Sequence, residues 1–127
     1  MSTLMWAGFW LVTKHFVFDF PLQGPYQYKN KGTYGHPGGI FHAFLQALGT
    51  VLALLLALPW GLGVFADILA LAAIEGLLHY HIDWAKMNLN TYWKLGPTTS
   101  EQFWWLLGLD QYLHYLCYLA IILVLAQ

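Results

Sequence analysis

Three pairs of ionisable residues define the chemistry open to this chain. His15 and Asp19, His79 and Asp83, and Asp110 and His114 each stand four residues apart. On a helix that spacing puts both side chains on one face, with Cβ atoms about 6 Å apart. Two side chains so placed can reach one metal ion, as in helical zinc motifs. His42 adds another imidazole, which gives four His and three Asp as candidate ligands. Mixed nitrogen and oxygen donors suit one or two divalent ions, Zn, Mn or Fe, better than soft-metal chemistry. Without a cation, neighbouring carboxylates repel and one tends to hold its proton.

A plainer explanation exists. His–Asp pairs can act as hydrogen-bonded clamps between helices, contributing on average ~0.6 kcal/mol in membranes. One pair alone would fit that account. Three pairs together with His42 in one layer favour a metal or catalytic site, because ionisable groups inside membrane spans are costly and are functional suspects by default.

The elements that must position these residues are legible in the composition. Of 127 residues, 59% are hydrophobic and 9% charged, against roughly 25% charged in an ordinary soluble domain. Such a chain lacks the charge to cover a soluble surface, so a lipid-facing exterior is expected. The length suggests a single domain, residues 1–127. A net charge of −1, with five Lys and no Arg, excludes a basic patch and with it nucleic-acid binding. Cys117 is the one cysteine, so no intrachain disulfide forms and the redox compartment stays open.

Four apolar segments are separated by Gly/Pro-rich breaks, at about residues 4–20, 40–58, 62–87 and 99–126. Pro21 stops the first, and Pro59-Trp60-Gly61 ends the second. Before the fourth, Thr98-Thr99-Ser100-Glu101 reads as a capping box. The first segment lacks a positive leader and a small-residue cleavage site and carries Lys14, His15 and Asp19, so it reads as a retained span. Each segment is near the ~20 residues that cross ~30 Å of hydrocarbon. Ala/Leu-rich runs such as Val51 to Leu58 show no period-2 alternation, which excludes a barrel and leaves helices. The expected fold is an all-α integral membrane four-helix bundle.

Lys29 and Lys31 lie in the first loop and Lys86 and Lys94 around the third. The positive-inside rule then puts loops 1 and 3 in the cytoplasm and both termini outside, in a multi-pass protein of the bacterial inner membrane. Trp6, Trp60, Trp84, Trp93, Trp104 and Trp105 fall near span ends, where amphipathic rings anchor. Counted from those ends, all seven candidate ligands share one layer below the cytoplasmic face. Asp110 follows Trp104-Trp105 by five or six residues, roughly 8 Å of helix.

Other polar residues carry weaker signals. Glu75, one turn deeper than His79, reads either as a partner behind a ligand, as a general base, or as a protonated, hydrogen-bonded Glu. Gln46 and Gln111 are placed to orient ligands or to join helices. His81 faces away from His79, and Lys14 is expected to snorkel to the interface. Lys29, Lys31 and Lys86 ring the mouth of the layer, either as solvated loop charge or as an attraction for a phosphate headgroup. Asp67 and His36 have no assigned role.

At these residues the chain resembles a bacterial and phage family of small membrane proteins catalogued as domain of unknown function 3307. The resemblance covers nearly the whole chain. It is carried by His15-Phe-Val-Phe-Asp19-Phe-Pro-Leu-Gln23, Lys29-Asn-Lys31, His42, His79-Tyr-His-Ile-Asp83-Trp-Ala-Lys86 and Asp110-Gln111-Tyr-Leu-His114. It implies a four-span protein and no established activity. By analogy alone, the chain is also similar to membrane-bound metal-dependent hydrolases that place His and Asp in spans.

The leading expectation is a metal-dependent hydrolase of a lipid or lipid-linked substrate. His15, Asp19, His42, His79, Asp83, Asp110 and His114 would be its metal ligands, and Glu75 or Asp110 would move protons. The alternatives are a proton or divalent-cation transporter and a non-catalytic accessory subunit, either as a homo-oligomer or in a larger membrane complex.

Overall fold

A computed structural model describes residues 2–59 and 61–127. Among the described residues it is all-helical, with α1 (Thr3–Asp19), α2 (Pro25–Tyr28), α3 (Pro37–Ala57), α4 (Leu62–Tyr92) and α5 (Glu101–Leu125). Three stretches are long and apolar enough to cross a membrane: Pro37–Ala57, Val64–Tyr92 and Glu101–Leu125, with mean hydropathies of 2.0, 1.3 and 1.4. Helix α1 has 17 residues, about 25 Å of helix, slightly short of the hydrocarbon thickness.

Capping explains most boundaries. The Ser2 side chain accepts the Met5 N–H at the start of α1. Pro37 opens α3 at a position where no backbone donor is needed, and His36 caps it by accepting the Gly38 N–H at 3.0 Å. That gives His36 a structural role the sequence did not reveal. The expected capping box before α5 does not form. The helix starts at Glu101 with Ser100 as its N-cap, and the Ser100 hydroxyl turns back to the Gly96 backbone instead. Helix α4 runs on to Tyr92, five residues past the expected end.

The long helices form a closed circuit: α1 packs on α3 and α5, α3 on α4, and α4 on α5. Each contributes one inward stripe at steps of three and four residues. In α5 the stripe is Leu106, Asp110, His114, Tyr118 and Ile121. In α4 it runs through Ile68, Ala72, Glu75, His79 and Asp83. Toward one end the stripes are apolar and meet as a core of Ala7, Leu11, Ala53, Leu54, Ile68, Tyr118 and Ile121. Toward the other end they turn polar. Outward positions carry Phe9, Phe16, Leu52, Leu56, Leu77 and Leu123, all exposed. Charged groups inside and large apolar groups outside reverse the soluble pattern, as a lipid solvent requires. Trp6, Trp93, Trp104 and Trp105 are exposed, and Trp84 is half-buried. Trp60 lies outside the described residues.

Small residues bring α3 and α4 close. A Cβ added at Gly76 would sit 2.9 Å from the Ala47 Cβ and 3.2 Å from the Ala43 carbonyl oxygen. Gly76→Ala should therefore push the two helices apart and cost about 1–3 kcal/mol. The expected readout is a lower thermal unfolding midpoint in detergent, and an unchanged midpoint would refute the close contact.

Candidate metal centre

The first cluster is assembled from three helices. Asp19 ends α1, His42 lies in the second turn of α3, and His79 and Asp83 share a face of α4. His42 Nε2 is 2.9 Å from Asp19 Oδ1, 3.1 Å from His79 Nε2 and 3.2 Å from Asp83 Oδ2. His79 Nε2 is 3.4 Å from both Asp19 Oδ1 and Asp83 Oδ2. All four residues are at most 9% exposed.

Surrounding groups fix which ring nitrogens face inward. The Gln27 amide nitrogen donates to the Leu22 carbonyl, so its Oε1 faces His42 and accepts from Nδ1 at 3.0 Å. A neutral His42 then turns its Nε2 lone pair to the cluster, where the Gln23 side-chain amide donates to it at 3.3 Å. His79 Nδ1 has the Glu75 carboxylate at 3.5 Å but makes no hydrogen bond among the described residues. The two Nε2 atoms, 3.1 Å apart and flanked by two carboxylates, need a proton or a cation between them.

A second group adjoins the first through Asp83, whose Oδ1 is 3.9 Å from His114 Nε2. His114 Nε2 is also 3.6 Å from Asp110 Oδ1. The donor atoms of Asp83, Asp110 and His114 all lie within 4.8 Å of one another, as do those of the first four residues. Asp83 Oδ2, Asp110 Oδ1 and His114 Nε2 are buried without a hydrogen-bond partner among the described residues. Buried polar atoms of this kind are completed by a proton, a water or an ion.

His15 is the exception among the seven expected ligands. Its Nε2 donates to Gln111 Oε1 at 2.9 Å, and its Nδ1 accepts from the Tyr118 hydroxyl at 3.0 Å. Both nitrogens are committed, so His15 belongs to neither donor group although it lies beside them. Gln111 in turn donates to Asp110 Oδ2, so His15 holds Asp110 in place through Gln111. Gln46 donates to Asp19 Oδ1 at 2.9 Å, and Gln23 does so at 3.2 Å.

Two lysines depart from expectation. Lys14 does not snorkel. It is buried, with Nζ 3.0 Å from Glu75 Oε1 and 3.0 Å from Gln46 Oε1. Its stem points between α3 and α4, where a carboxylate compensates the charge that water would otherwise solvate. Glu75 also accepts from the Thr50 hydroxyl at 3.0 Å, so it stands engaged behind His79. Lys31 is likewise no solvated loop charge: it is buried, with Nζ 3.1 Å from Asp83 Oδ1. Burial pulls its pKa down, but Asp83 and then Asp19 more than offset this, so the group stays an ammonium with a raised pKa. Lys29 is exposed and Lys86 half-buried at the rim. His81 turns away, with Nε2 at 3.2 Å from the Tyr34 hydroxyl, and Asp67 is exposed.

Sequence reasoning did not single out Gln27, Lys31 or Tyr118 as contacts of the cluster. Gln27 reaches His42 because α2 folds the first loop back over the polar end, and a four-residue helix gives almost no periodic signal.

Nothing among curated proteins and nothing among solved structures matches the chain. A family model does match over residues 9–127, taking in every member of both donor groups, and the chain therefore belongs to the protein family of unknown function DUF3307.

Proposed function

We propose that this protein is a four-span membrane bundle carrying a divalent-metal centre, and that it hydrolyses a lipid or lipid-linked ester. One observation carries the reading: Asp19, His42, His79 and Asp83 offer four donor atoms within 4.8 Å of one another, with the five contacts that His42 and His79 make running from 2.9 to 3.4 Å. A tetrahedral ion with bonds of about 2.0–2.1 Å needs ligand–ligand edges of about 3.3–3.4 Å. Asp83, Asp110 and His114 would hold a second ion, with Asp83 shared between the two. Zn, Mn and Fe all accept this donor set.

Bound metal would polarise a phosphoryl or carbonyl oxygen and acidify a water. The chain's own part is to orient the donors and to move protons. In hydrolysis a bond forms from the water oxygen to phosphorus or carbonyl carbon, and the ester bond to the lipid oxygen breaks. With only the first site filled, Asp110, whose Oδ1 has no hydrogen-bond partner among the described residues, would take the water proton and return it to the leaving oxygen. Glu75, already held by Lys14 and Thr50, orients His79 instead. The apolar core of Leu11, Leu54 and Ile68 closes the other half of the bundle, which favours hydrolysis over transport. Lys29, Lys86 and Lys94 remain available to the positive-inside rule and put loops 1 and 3 in the cytoplasm, as expected of a bacterial inner-membrane protein.

The test is metal analysis of detergent-purified protein. At least one transition metal per chain is expected, with chelation removing both the metal and the hydrolysis of phosphatidic acid in mixed micelles. Adding the ion back should restore both. Sub-stoichiometric metal after incubation with Zn²⁺, Mn²⁺ and Fe²⁺ would refute the reading.

A further inference from the structure

Buried as they are, the two donor groups need a route for substrate, and the cavities differ in what they reach. A groove of about 580 Å³ between α3 and α4 is walled by Ala43, Ala47 and Gly76 and has no donor-group residue in its lining. A smaller cleft of about 280 Å³ between α4 and α5 is different, because Asp110 forms part of its wall. Asp110 is 3% exposed, and its Oδ1 has no hydrogen-bond partner among the described residues. A second cavity of about 370 Å³, lined by Trp93, Gln102 and Trp105, shares Leu106 and Leu109 with this cleft. The two cavities thus adjoin at Leu106 and Leu109, one reaching Asp110 and the other Trp93 and Trp105.

From this we infer that a lipid with an anionic phosphate headgroup enters sideways between α4 and α5, its head at Lys86 and Asp110 and an acyl chain along Leu78, Ile82 and Leu113. The inference rests on the metal reading, since a phosphate meets the Asp110 carboxylate only with a cation between them. Three features of the cleft select this occupant. Apart from His81, Lys86 and Asp110 its walls are aliphatic, on the side of the bundle that would face lipid. Lys86 at its rim is a point charge suited to a phosphate. Exposed Trp93 and Trp105 stand at the outer end, at the level where headgroups lie. A water-soluble phosphate would gain nothing from the leucine-lined walls.

The test uses full-length protein in micelles and phosphatidic acid carrying a diazirine in one acyl chain. Photolabelling should map to residues 78–89 and 106–113. Ala85→Trp, which fills the cleft, should reduce labelling there to background while metal per chain stays unchanged. Lys86→Gln should weaken labelling by phosphatidic acid about fivefold and leave labelling by the matching diacylglycerol unaltered, which keeps the test informative if the tryptophan variant does not fold. Labelling on α1 or α3, or labelling indifferent to both substitutions, would overturn the inference even with metal present. Labelling confined to the cleft of a protein that takes up no metal would overturn the metal reading and the seat of the phosphate at Asp110, while labelling absent from a metal-loaded protein would overturn the lipid cleft alone.

Discussion

Asp83→Ala is expected to strip divalent cation from the protein altogether, the largest single effect on binding that any one ligand can have. The reason is its position. Oδ2 faces His42 and His79, while Oδ1 faces His114 and Lys31, so one carboxylate serves both donor groups. Removing Gln27, which only holds the His42 ring, should be milder: Gln27→Ala is expected to lower metal affinity about 10- to 100-fold. Titration calorimetry with Zn²⁺ distinguishes the two. Asp83→Ala also leaves the Lys31 ammonium buried and unpaired, a loss of about 3–5 kcal/mol. Asp83→Ala with Lys31→Met removes both charges and separates binding from folding. Stoichiometric metal in that double variant would sink the shared-carboxylate arrangement.

The second large effect concerns stability. Lys14→Ala should destabilise the fold by about 3–5 kcal/mol, because Glu75 would then be a buried carboxylate without its counter-charge. The side chains are only 5% and 2% exposed, so water offers little relief. Lys14→Met with Glu75→Gln should lose much less than the sum of the single changes, since neither charge is left alone. Unfolding midpoints of the four proteins in one detergent give the coupling. Additive losses would mean that the pair does not act as a unit.

These two sites also show where sequence reasoning succeeds and where it stops. The pairs His79/Asp83 and Asp110/His114 were legible because helical spacing fixes the face and distance from a loop fixes the depth. Both quantities survive without coordinates. The side on which Lys14 and His15 point was not legible. They are adjacent in sequence and both buried, because α1 is flanked by α3 on one side and α5 on the other. Lys14 therefore meets Gln46 and Glu75 while His15 meets Gln111 and Tyr118. Nothing in a single helix announces two partners. Lys31 was hidden for a related reason. Its contact with Asp83 depends on how the loop after α2 returns over the helix ends, and loop geometry has no repeat to read.

The apolar plug of Leu11, Leu54 and Ile68 beneath the Lys14–Glu75 pair makes the polar layer one-sided. On the proposed metal reading, ions and protons would reach it from a single compartment, and its occupancy would follow the metal supply and acidity of that compartment. The buried ionisable residues among the described ones stop at the Lys14–Glu75 pair, so a transmembrane voltage would find no charged path through the plug.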